Sequence, residues 1–261
     1  MSDYPPEQDI DHFKIWKVKD QTLKTEKKVK LSDQLNEENG GLAASVKAMQ
    51  WLANPVKKEV KSIKKKDKPK KDKPHKVEIK QEKVHLTGWK LHFEQTPKPP
   101  KGRWQIKNQF TEGKDGWEEW KIGEPEFLLV PAAKNDDPNK LPDQKDKTDA
   151  QKKIDHYLCY KVDEPELETD MELQDQFDKK IDQQHTEPIK RLYPKYLGVP
   201  AHKDDPAPLL HQTAHLAIYE LDPPERFLTS VATIDQFLDV KNLGVSESLY
   251  LAVPSQKRPL P

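Results

Sequence analysis

The chain has 261 residues, with 45 Lys or Arg against 45 Asp or Glu, 33% hydrophobic residues and 23 prolines, near the polar edge of what still buries a core. No stretch approaches the ~18 apolar residues of a membrane span, and the start MSDYPPEQDID lacks the basic-then-apolar layout of a secretory signal, so a soluble chain with no membrane span and no visible signal peptide is expected. A single cysteine, Cys159, excludes an intramolecular disulfide framework and a zinc site of thiolates alone.

From the N-terminus onward the chain repeats one unit four times. Each unit opens with His, an aromatic four residues on and Val or Leu two further: His12-Trp16-Val18, His85-Trp89-Leu91, His156-Tyr160-Val162 and His215-Tyr219-Leu221. Each continues to Asp or Asn, then Gln and a large apolar residue: Asp33-Gln34-Leu35, Asn108-Gln109-Phe110, Asp175-Gln176-Phe177 and Asp235-Gln236-Phe237. Each closes on an apolar stretch ending P-x-x-K, at Lys58, Lys134, Lys203 and Lys257, so the units span 12–58, 85–134, 156–203 and 215–257. Three ordered motifs recurring four times at such even lengths define the fold before any local propensity does.

The periodicity inside a unit is that of strands. In the opening motif the conserved-type positions share one face of an extended chain, and the residues between, such as Phe13 and Ile15 or Tyr157 and Cys159, fill the other, which predicts a strand covered on both faces. A second strand runs into the Asp/Asn-Gln, as in Val29-x-Leu31-x-Asp33, and a third precedes the closing proline, which is expected to end it. Only GLAASVKAMQWL at 41–52 reads as a helix. Polar insertions lie at 59–84, 135–155 and 204–214.

An all-β chain of four quasi-repeats of about three strands each follows. Since three strands alone are marginal, the expected arrangement is two tandem six-stranded barrel- or sandwich-like domains with pseudo-twofold symmetry. Residues 1–140 would form the first, 141–155 a linker and 156–261 the second.

The motifs H-Y-x-C-Y-K-V, L-x-D-Q-F and L-x-V-P-x-x-K resemble an uncharacterised family of duplicated β-rich domains found in bacterial and archaeal, often exported, proteins. The resemblance is closest from His156 to Lys257 and implies a fold, with no enzymatic activity, cofactor or catalytic residue attached; it also implies an extracellular location for a member whose signal has been removed. Family members often carry a disulfide-like cysteine pair, one in the opening strand and one before the closing proline. Here those positions are Ile15, Gly88, Cys159 and Ile218, and Ala53, Leu129, Gly198 and Ala252, so seven of the eight are not Cys.

Candidate chemistry has a bland counterpart at each position. His12, His85, His156 and His215, with Asp33, Asn108, Asp175 and Asp235, could be acid/base groups or ligands. Their recurrence in all four copies favours structural hydrogen bonds, which every copy needs, over catalysis, which needs a residue once. His211 and His215, with His202 nearby, form H-x-x-x-H, but that spacing does not converge on a strand and no H-E-x-x-H glutamate follows, so a metal-dependent enzyme ranks last. No G-x-S-x-G, P-loop, G-x-G-x-x-G or C-x-x-C is present, and no cofactor is expected. Cys159, in an apolar strand, reads as a small hydrophobe. Trp104, Trp117 and Trp120 are denser than a strand needs and form a candidate stacking surface for glycan or peptide.

Charge is unevenly placed. Residues 57–76 carry 11 Lys against 3 acidic residues, and 163–187 carry 10 acidic residues against 2 Lys. Two partner expectations follow. The basic segment of one copy could meet the acidic segment of the next, giving head-to-tail self-association. Alternatively Lys61, Lys64, Lys65, Lys66, Lys68, Lys70, Lys71 and Lys73 could attract an anionic polymer by counterion release. The functional expectation is a non-enzymatic structural, assembly or binding protein, with a polyanion- or glycan-binding module as the alternative.

Overall fold

A computed structural model describes residues 10–37, 40–65, 71–111, 114–204 and 208–260, the side chains of residues 65 and 71–74 excepted. In chain order its strands are β1 (Phe13–Asp33), β2 (Leu42–Pro55), β3 (Lys57–Lys65), β4 (Lys71–Val77), β5 (His85–His92), β6 (Trp104–Lys107), β7 (Trp117–Trp120), β8 (Ile122–Asn135), β9 (His156–Val162), β10 (Leu167–Gln174), β11 (Glu187–Lys203), β12 (His215–Asp222), β13 (Arg226–Ile234) and β14 (Asp239–Pro259). Two short α-helices, α1 (Gln144–Gln151) and α2 (Asp178–Ile181), and a 3-10 turn at Lys114–Gly116 also lie among the described residues. The chain is all-β, and the four repeats are its organising element.

Each unit contributes an opening strand (the start of β1, then β5, β9 and β12) and a closing strand (β2, β8, β11 and β14). Each opening strand pairs antiparallel with the closing strand of its own unit, as in Ile15↔Ala53, Gly88↔Leu129 and Ile218↔Ala252. It also pairs with the closing strand of the unit before, as in Leu86↔Ala53, Leu158↔Leu128 and Leu216↔Gly198. The start of β1 pairs with β14, as in Phe13↔Ala252, so the eight strands form a closed ring. Closure leaves these strands no free edge.

The two faces of the opening strands are both covered, as their alternation demands. Phe13, Ile15, Leu86, Tyr157, Cys159, Leu216 and Ile218 converge in one buried cluster inside the ring. Trp51, Phe127, Tyr196 and Tyr250, one from each closing strand, pack there against one another, Trp51 and Phe127 stacked with centroids 3.8 Å apart. Gly88 makes room for the largest of them: a Cβ at that position would lie 2.7 Å from Trp51 Cβ. Trp16, Trp89, Tyr160 and Tyr219 face outward into the second cluster, beneath the Asp/Asn-Gln turns.

Several sequence-level expectations are corrected here. The closing prolines do not end their strands in units two to four; β8, β11 and β14 run on through Pro131, Pro200 and Pro254. Beyond the ring each extension pairs with a unit two places away. Unit one's Leu31–Asp33 lies on Ala201–Lys203 of unit three, while β10 of unit three lies on β3, which continues unit one. Likewise β6 of unit two pairs with Gln256–Pro259, and Ala232–Ile234 of unit four with Ala133–Asn135. Units thus exchange strands one with three and two with four, which overturns the pairing into two tandem six-stranded domains. The segment expected as a bare linker holds α1, whose end buries Ala150, with Ile154 just beyond it. The expected helix at 41–52 is instead strand β2 from Leu42 on, because β1 and β5 supply ladder partners on both sides and override the helix propensity of its alanines. The basic insertion forms the hairpin β3–β4.

Candidate functional site

The repeated Asp/Asn is a bifunctional linker in every unit. One side-chain oxygen accepts the backbone N–H two residues on, at Leu35, Phe110, Phe177 and Phe237 (2.7–2.8 Å), closing an Asx turn. The other terminal atom reaches the opening-strand aromatic of the unit two places away. Tyr160 OH donates to Asp33 Oδ2 (2.8 Å), Asn108 Nδ2 to Tyr219 OH (3.0 Å), Trp16 Nε1 to Asp175 Oδ2 (2.7 Å) and Trp89 Nε1 to Asp235 Oδ2 (2.9 Å). Indole N–H can only donate, so both Trp partners are Asp, whereas a phenol accepts as well and one Tyr partner is Asn. Burial pushes the Asp33 carboxyl up to about 6 against its hydrogen bonds, and pushes Asp235 up too.

The four histidines sit at the end of the ring and are held neutral by burial, His85 and His215 at about 3 and His156 at about 4. His156 Nε2 lies 2.7 Å from Gln236 Nε2, His215 Nδ1 bonds the Thr213 carbonyl at 3.0 Å, and His85 meets the backbone of Ala53. The closing lysines stack over the turn aromatics of the next unit: Lys58 over Phe110 (5.1 Å), Lys134 over Phe177 (5.0 Å) and Lys203 over Phe237 (5.7 Å). The Asx turn with its aromatic partner recurs in all four units and the lysine stacking in three, as framework.

His211 and His215 do not converge. His211 Nε2 points to the Lys153 carbonyl at 3.2 Å while His215 is buried, so the H-x-x-x-H pair forms no ligand set. His202 is half-buried at the Ser32↔His202 position of the β1–β11 pairing. Cys159 is fully buried, and desolvation raises its thiol. Of the tryptophans, Trp120 is core, while the half-buried Trp104 and Trp117 each carry a cation over the ring, Lys257 at 4.0 Å and the Arg258 guanidinium at 4.1 Å.

A cluster that the repeat logic missed lies where units one, three and four meet. Lys14, fully buried on β1, places its Nζ 2.7 Å from Asp178, 2.6 Å from Glu187 and 3.1 Å from Glu225, and His185 Nε2 lies 2.5 Å from Glu225. Asp178, His185 and Glu225 are close enough to share a cation, but the Lys14 ammonium already stands among the carboxylates. Burial and the Asp175 charge push Asp178 up, whereas Asp178 and the Lys14 ammonium hold Glu225 down. The other opening strands have Thr87, Leu158 and Ala217 at this position. A lysine in a strand expected to be covered on both faces was the available signal.

The charged segments meet within one chain. β3 pairs with β10 from Lys57↔Gln174 to Lys65↔Leu167, and Lys61 and Lys64 bridge to Glu172 (2.6 Å) and Glu168 (3.2 Å). Lys66, Lys68 and Lys70 lie outside the described residues, as do the side chains of Lys65, Lys71 and Lys73. A groove of ≈ 470 Å³ between Phe93–Lys101 and the Leu35–Asn36 turn reaches Tyr160.

A family model described as a repeat of unknown function (DUF7450) matches residues 85–254, which take in units two, three and nearly all of four. Unit one lies outside that match but carries the same motifs and completes the ring. No curated protein and no solved structure matches the chain. No helix among the described residues is long and apolar enough to cross a membrane.

Proposed function

The chain belongs to the DUF7450 family of repeats of unknown function, and on that premise we propose that it is a non-enzymatic binding scaffold whose Lys-rich β3–β4 hairpin engages an anionic polymer. The observation that carries this is the pairing of β3 with β10. Lys61 and Lys64 are spent on Glu172 and Glu168, which fixes the base of the hairpin on β10 and leaves six lysines against two aspartates in residues 65–73. The acidic strand needed for head-to-tail assembly is covered by the same contact, so the polymer reading is favoured over self-association. The repeated polar residues support a scaffold, since every copy spends them on its own fold.

Binding of this kind is electrostatic and falls with salt. Retention on immobilised heparin is expected at low salt, lost in a variant with Lys65, Lys66, Lys68, Lys70, Lys71 and Lys73 changed to Gln. Lys61 and Lys64 are kept, because removing them would uncover the edge of β10. A protein that passes through at low salt, or a variant retained as strongly as the parent, would refute the proposal.

A further inference from the structure

Among the four closing lysines one lacks what the others have. Lys134 Nζ lies 2.5 Å from Asp136 and Lys203 Nζ 2.6 Å from Asp204, and the Asp33 charge acts on Lys257 from a longer range. Lys58 is fully buried over the Phe110 ring, and among the described residues its Nζ has no hydrogen-bonding partner and no carboxylate. Its neighbours share this condition. His12 is close enough to feel the Lys58 charge, and its Nδ1 is buried and unpartnered. Gln109 precedes Phe110, and its Nε2 is buried and unpartnered too. Gln109 is the counterpart of Gln236, and His12 of His156, the pair that lies 2.7 Å apart between units four and three.

We propose that Lys58, His12 and Gln109 form a small-oxyanion site between units one and two, beneath the base of the β3–β4 hairpin. The ligand class follows from the donor set. An ammonium and an amide N–H₂ are donors with no acceptor between them, and imidazole can present a third N–H. His75 and Lys80 also act on His12 with positive charge, and the buried Asp11 carboxylate next along the chain is taken up by the Lys80 and Gln81 backbone N–H groups. A water would satisfy hydrogen bonds but not charge, whereas a phosphate, sulfate or carboxylate group supplies both, in the role that Asp136 and Asp204 have in other units. Without an anion, burial drives Lys58 toward the neutral amine.

Melting in inorganic phosphate, against sodium chloride at matched ionic strength, tests this on the full chain. Wild type is expected to show a saturable, phosphate-specific rise of about 3–6 °C at tenfold excess over Kd. Lys58→Met keeps the apolar stem, folds, and loses that rise, while Lys134→Met keeps it. Gln109→Leu, at a half-buried position, serves as a second variant and weakens apparent affinity about tenfold. NMR of the side-chain Nζ groups at neutral pH should show the Lys58 ammonium appearing as phosphate saturates. Equal melting in phosphate and chloride, or a phosphate shift undiminished in Lys58→Met, would overturn the site. Heparin retention of Lys58→Met stays unchanged, because Lys58 is buried, so this failure is separable from that of the hairpin proposal.

Discussion

At the scale of single residues the repeats act as each other's controls. Unit two fills the Asp33 and Asn36 positions with Asn108 and Thr111, and still closes its turn and holds Tyr219. The pair Asp33→Asn with Asn36→Thr should therefore fold while removing a buried carboxyl raised to about 6. A raised carboxyl favours the fold below its unfolded value of about 3.9, and that contribution is lost as pH rises through about 6. The double variant should gain about 1–3 kcal/mol relative to wild type at pH above 7, with a flatter profile between about pH 4 and 6, read by urea unfolding. Asp175→Asn should behave in the opposite way. Asp175 Oδ2 accepts from both Trp16 Nε1 and Asn54 Nδ2, and an amide cannot accept both there while its other atom serves the Phe177 N–H; a loss of about 2–3 kcal/mol is expected in the same assay. Equal costs at the two positions would contradict the donor–acceptor account. Lys14→Met should cost about 3–5 kcal/mol at neutral pH by stranding Glu187 and Glu225, and less near pH 5, where those carboxyls protonate more readily. A pH-independent cost would mean that packing, not charge, is what Lys14 supplies.

At the scale of elements, what was legible depended on whether a strand's partners were local. The opening strands were readable because both their faces are apolar, at Phe13 and Ile15 as at Trp16 and Val18, and the Asp/Asn-Gln turns because an Asx turn is closed within three residues. β2 was not, since LAASVKAMQWL has alanines at helical spacing and becomes a strand only through β1 and β5. β3 and β4 were hidden differently. Their lysines read as a polar insertion, yet Lys58, Val60, Ser62 and Ile63 are buried against the rest of the fold, and the acidic alternation of β10 is the partner that makes the strand. Opposite charge across that pair was visible in composition, but its sign pattern does not say whether the partner lies in the same chain. The Lys14 cluster was illegible for the same reason, because Lys14, Asp178, Glu187 and Glu225 come from separate units that no local pattern joins.

At the scale of the molecule, four similar units could pair with their neighbours or with the unit opposite, and both pairings satisfy the same motifs. The choice is made by the strand extensions beyond the closing prolines, which reach Ala201–Lys203, Gln256–Pro259, Ala133–Asn135 and β3 to pair units one with three and two with four. Every aromatic held by an Asx turn belongs to the unit opposite as well, so each half of the chain supplies the buried polar partners of the other. Residues 1–140 alone would leave the Trp16 indole N–H without its acceptor, take Asp235 from Trp89 and open the outer edges of β1 and β8, and 156–261 would leave the Tyr160 and Tyr219 hydroxyls without their partners and open the edges of β9 and β14. The halves expressed separately should therefore be unfolded or aggregated, with poorly dispersed amide spectra, while co-expressed halves cut within 136–143 should associate and recover native dispersion. Two independently folded halves that fail to associate would restore the tandem-domain arrangement and remove the exchange of strands between opposite units.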